Sequence, residues 1–78
     1  MKFQLVWQDR DGGIALHRDG CRDVAKVQAM TGCAVETLEG DDPRRVFVDA
    51  LHENFSEYDR AHVETWIDGP ARIMPCVK

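Results

Sequence analysis

The chain has 78 residues, 44% of them hydrophobic, and 14 acids against 10 lysines and arginines give it a formal net charge of −4. That length allows one domain with one core, and the apolar content separates it from disordered chains. No apolar run reaches the roughly 20 residues of a membrane helix, and the excess of acid removes the basic footprint of a nucleic-acid binder. Neither a membrane nor DNA or RNA is therefore an expected partner.

Residues 2–8 alternate, with Phe3, Leu5 and Trp7 on one side and Lys2, Gln4 and Gln8 on the other. The pattern, broken only by Val6, predicts a half-buried strand. Asp11-Gly12-Gly13 supplies the positive-φ positions of a hairpin turn, and residues 14–17 return as a second strand with Ile14 and Leu16 on one face. Asp19-Gly20 then opens a helix over 21–31 that offers Val24, Val27 and Met30 or Thr31 to the interior. Gly32 is placed to close it in a left-handed conformation. Residues 33–39 have strand character, and Gly40-Asp41 turns the chain.

The strongest element follows, over residues 42–58. Asp42 caps it, Pro43 has no amide to orphan, and Phe47, Leu51, Phe55 and Tyr58 recur at four, four and three residues. A helix with one such stripe is marginal by itself and needs a sheet or a second helix to cover it. Residues 62–68, with Val63, Thr65 and Ile67 opposite His62, Glu64 and Trp66, read as another strand. Asp68-Gly69-Pro70 is a turn, and residues 71–77 could pair back as a last short strand, which Pro75 places at an edge or makes irregular. The order β-β-α-β-α-β-β predicts a single α+β domain over 1–78. It is a two-layer sandwich with a mostly antiparallel sheet of four or five strands and both helices on one face, Phe47, Leu51 and Phe55 lying across the sheet.

Three cysteines, Cys21, Cys33 and Cys76, make an odd set at low density. A secreted disulfide scaffold is denser and even-numbered, and the opening MKFQLVWQDRDGG lacks the apolar stretch of a secretory signal, so the expected setting is a reducing cytoplasm. His17-x3-Cys21 offers soft ligands for zinc, which Cys76 and one of Cys33, His52 or His62 would complete. No Cys-x2-Cys pair supports it, and three buried thiols acting as small hydrophobes is the plainer reading. Two other uses compete for Cys21. As a nucleophile at a helix start it would be favoured by unpaired amides, with His17 close in sequence, yet no local signature of a cysteine enzyme supplies a base held by a third group and an oxyanion site, so no enzyme is expected. A Cys21–Cys76 bridge would staple the chain end to the first helix, against cytosolic redox conditions.

Charge is unevenly placed. Residues 36–64 hold nine acids against three arginines, while the flanking parts each balance to +1. With no complete catalytic set, this segregation favours a non-enzymatic accessory protein that binds a protein partner through an acidic surface. Asp49, Glu53 and Glu57 on the helix and Trp66 as an interface anchor would form it. Zinc held by His17, Cys21 and Cys76 is the alternative; otherwise no cofactor is expected. A protein mimicking DNA with spaced carboxylates is a third reading. Arg44 and Arg45, balanced by Asp41 and Asp42, form no phosphate site, since no glycine-rich phosphate loop is present.

His17-Arg18-Asp19-Gly20-Cys21-Arg22-Asp23-Val24 together with Met74-Pro75-Cys76 resembles small uncharacterised proteins of bacteriophages that infect actinobacteria. The resemblance covers about a quarter of the chain at two separated places. It implies a protein made in the host cytoplasm, with His17, Cys21 and Cys76 near one another in space, and carries no assigned activity.

Overall fold

The computed structural model describes residues 1–8 and 13–77. Four strands, β1 (Lys2–Val6), β2 (Ile14–Arg18), β3 (Val35–Glu39) and β4 (Ala71–Ile73), form one mixed sheet in the order β3-β1-β2-β4. β1 pairs antiparallel with β2 and β3, and β4 adds parallel to β2. Helix α1 (Arg22–Thr31) joins β2 to β3; α2 (Pro43–Asn54) and the short α3 (Arg60–Glu64) join β3 to β4. A single 3-10 turn over Pro75–Val77 closes the described chain. The α+β class is as the residue pattern predicts, and no helix among the described residues is long and apolar enough to cross a membrane.

Register decides what each face carries. Leu5 lies opposite Leu16, and Phe3 opposite Leu38, so one face of the sheet presents a continuous apolar surface. On it sit Phe47, Val48, Ala50 and Leu51 of α2 and Val63 of α3, all buried with Phe3, Leu5 and Leu16. Each valine, leucine or phenylalanine among them, once covered, contributes about 1.5–3 kcal/mol. Side chains alternate across a strand, so Val6, opposite Ala15 and Val35, points the other way. Val24 and Val27 of α1 and Cys33 pack on Val6 there, in a separate and smaller cluster. The two helices therefore cover opposite faces, where the sequence predicts both on one. The odd residue in the strand pattern, Val6, is the one that gives α1 its footing.

The helix boundaries follow local chemistry. Asp42 accepts from the amides of Arg44 and Arg45 at 3.1 and 3.5 Å, as its place before Pro43 predicts. Gly32 takes φ 67° and donates its amide to Gln28, closing α1. Met30 and Thr31, offered to the interior by the sequence reading, are exposed, because ten residues let only Val24 and Val27 reach the sheet. α2 stops at Asn54, short of Tyr58, as Phe55 leaves the helix with φ −124° and ψ 54° and packs its ring against Trp66.

Residues 62–68 are not a strand. Val63 and Ile67 are both buried, and their spacing of four fits a helical turn as well as it fits alternation; Val63 lies in α3, which ends at Glu64, and the turn after it carries Ile67 into an isolated bridge to Ala71. The last strand shrinks to Ala71–Ile73, at the sheet edge that Pro75 demands. The amide of Ile14 bonds to the carbonyl of Pro70, and a Cβ on Gly13 would stand 2.6 Å from that oxygen, so a side chain is excluded where the two segments meet. The rest of the predicted Asp-Gly-Gly turn lies outside the described residues.

Candidate metal centre

β2 ends by delivering His17 to the face that α1 covers. His17 lies opposite Gln4 across the β1 ladder and is 1% exposed. Two residues later the chain turns through Asp19-Gly20, Gly20 at φ 83°, and the amide of Cys21 bonds back to the carbonyl of Arg18 at 3.0 Å. That turn brings Cys21, the residue before the first turn of α1, close to His17. Its side chain makes no capping bond to the helix, which leaves the thiol available for another partner.

The third member arrives from the far end. β4 runs beside β2, the amide of Met74 bonds to the carbonyl of Leu16 at 3.0 Å, and Pro75 then bends the chain into the 3-10 turn that carries Cys76. Cys76 Sγ stands 3.6 Å from His17 Nδ1 and accepts from the amide of Arg18 at 3.4 Å. One donor atom from each of His17, Cys21 and Cys76 lies within 4.8 Å of the others. Residues 55 and 59 positions apart are thus gathered by a parallel strand pairing that no local motif announces.

The donor set fits a soft, tetrahedral metal. With sulfur at about 2.3 Å and nitrogen at about 2.0 Å from zinc, neighbouring ligands in a tetrahedron stand roughly 3.5 Å apart for S and N and roughly 3.8 Å for S and S. The observed 3.6 Å between Cys76 Sγ and His17 Nδ1 matches the first edge. The 4.8 Å limit on the remaining edges asks for at most about 1.3 Å of closure on the S–N edge and about 1 Å on the S–S edge. Burial raises the Cys76 thiol above its ordinary value; the Arg18 amide opposes that, and the neighbouring Cys21 adds to it. A bound cation would reverse this balance, because metal coordination takes the thiolate.

The sequence reading named Cys33, His52 and His62 as possible fourth ligands, and none joins the group. Cys33 is buried with Val6, Val24 and Val27, His52 lies on α2, and His62 stacks on Tyr58 with ring centroids 5.0 Å apart. All three thiols are free in the structure, so the Cys21–Cys76 bridge weighed from sequence is not formed. The residue that sequence reasoning missed is Arg18, which contributes its backbone amide; a main-chain donor leaves no mark in residue type.

The residues proposed for an acidic surface fare differently. Glu53 and Glu57 are exposed, whereas Asp49 forms an ion pair with Arg60 across α2 and α3. Trp66 is half buried, its ring meeting Phe55, Tyr58 and His62 at 5.2, 5.4 and 5.7 Å between centroids. Tyr58 and His62 are the exposed members of that aromatic group. Comparison with family models, with curated proteins and with solved structures finds no match to this chain.

Proposed function

We propose that the protein is a small non-enzymatic module of a reducing cytoplasm whose C-terminal segment is clasped to the start of α1 by a zinc ion on His17, Cys21 and Cys76. The observation that supports this most is the approach of three soft donors, from β2, the β2–α1 turn and the 3-10 turn, within 4.8 Å. A domain of this size has a small core, and a metal that ties two distant segments adds the stability a second cluster of four buried residues supplies only thinly. With three protein ligands, the fourth position belongs to water or to a donor from a partner. Protein purified without added zinc should carry about one equivalent, and cobalt in its place should show sulfur-to-metal charge transfer in the near ultraviolet. Less than about a tenth of an equivalent, with folding unchanged in chelator, overturns the reading.

A second reading is supported by the aromatic group at the end of α2. Tyr58 and His62 present stacked, exposed rings flanked in sequence by Glu57, Asp59 and Glu64, a surface suited to a lysine- or arginine-bearing segment of another protein. A lysine-rich peptide should then quench the Trp66 emission at low salt and lose affinity as salt rises or when Tyr58 becomes alanine. Binding indifferent to both would remove this surface from consideration.

A further inference from the structure

We infer that the site is also a redox switch: oxidation joins Cys21 to Cys76 and ejects the metal, and reduction restores the ligands. This rests on the metal reading of the same three residues. Both thiols are half buried and lie within the same 4.8 Å as His17, while the third, Cys33, is 8% exposed and packed among valines on α1's side of the sheet. Closing the two sulfurs to the roughly 2.05 Å of a disulfide requires a small movement of the 3-10 turn rather than of the sheet. That turn follows the last strand bond to β2; the Arg18 amide and His17 Nδ1 meet the Cys76 sulfur, the Val77 amide bonds to Met74, and the Val77 side chain packs on the main core, so the movement is a local one about Cys76. Cys21 is equally disposed to move its side chain alone, since it caps nothing.

The chemistry is an exchange with a low-molecular-weight disulfide such as oxidised glutathione. One cysteine thiolate attacks that disulfide, forms a mixed disulfide and releases one glutathione thiol. The second cysteine thiolate then attacks the protein sulfur of the mixed disulfide, displacing the second glutathione thiol. The protein loses two hydrogens, the glutathione pair gains two, and a disulfide has no thiolate left to hold zinc. His17 alone then remains of the three ligands, which is too little to retain the ion.

The experiment uses the full chain loaded with zinc, exposed to graded ratios of oxidised to reduced glutathione. Zinc release is followed with a chromophoric chelator, and cysteine linkage by peptide mapping. The expected result is a monomer with one Cys21–Cys76 cross-link, Cys33 still alkylatable, zinc released in step with the cross-link, and both changes reversed by dithiothreitol. Apoprotein should oxidise at least tenfold faster than zinc-loaded protein, since the metal occupies the attacking sulfurs. Zinc that binds and then stays bound under oxidation, stable glutathione adducts without a bridge, or pairing through Cys33 overturns the switch and leaves the metal site standing. Failure to take up any zinc at the outset overturns the site, and the switch with it.

Discussion

The two faces of the sheet are built to different standards. Under α2 and α3, Phe3, Leu5, Leu16, Phe47, Val48, Leu51 and Val63 are closed off from water, with Trp7, Leu38, Phe55 and Trp66 around them. Under α1 the buried cluster is Val6, Val24, Val27 and Cys33. The thick side carries the fold and little chemistry. The thin side carries His17 and the two half-buried thiols, which is where a bound ion adds most. A small domain that leaves one face under-filled has room there for ligands that a tightly packed core would exclude.

The largest expected effect tests the thick side. Phe47→Ala should cost about 3–5 kcal/mol, near the whole stability of so short a chain, whereas Val27→Ala should cost about 2 kcal/mol. Urea titrations that rank them the other way would place the main core under α1. Next, zinc at one hundred times its dissociation constant should add about 2.7 kcal/mol to unfolding. In native-state hydrogen exchange that gain should appear at the end of β2, the start of α1 and Met74 before it appears anywhere in α2. Uniform slowing across both faces would mean that the ion acts on global unfolding alone and that the two faces open together.

A smaller effect concerns how the thick side is held. Asp42→Ala removes the acceptor for two first-turn amides and should cost about 1 kcal/mol, with Asp42→Asn costing much less. Equal losses for both would show that charge rather than capping is at work. Smallest of all is the pH dependence of the thin side. The folded Cys76 thiol is raised above its ordinary 9.0, chiefly by burial. A group whose folded value is raised contributes fully below the unfolded value, and that contribution is lost as pH rises through the folded one. Metal-free protein should therefore hold its stability through neutrality and lose a small increment above about pH 9, and Cys76→Ser should abolish that alkaline loss. Iodoacetamide should also modify Cys76 more slowly than a cysteine in a short peptide at pH 8.

Most of the elements were legible in residue order because they depend on near neighbours. Alternation at Phe3, Leu5 and Trp7, the Asp42-Pro43 start, the four-residue spacing of Phe47 and Leu51, and Gly32 after Thr31 are local statements, and β1, β2, α1, β3 and α2 follow from them. Where a local pattern served two periods, tertiary packing chose. Val63 and Ile67 suit a strand or a helical turn, and the helical turn of α3 is the form in which Val63 joins the buried cluster of Phe47 and Leu51. The same holds for Val6: by residue type it is an error in a strand pattern, and only the second helix makes it a core residue.

The candidate site divides the same way. That His17, Cys21 and Cys76 are the chemically able residues could be read from composition and spacing, because ligand character belongs to the side chain. That they meet was decided by the parallel addition of β4 to β2, which joins segments 55 or more residues apart and leaves no periodic trace in either. Sequence by itself determined the α+β class, the amphipathic α2 and the supply of soft donors. The tertiary structure decided which face each helix covers, which carboxylate Arg60 takes, and which thiols share a point in space, since each depends on contacts between distant residues.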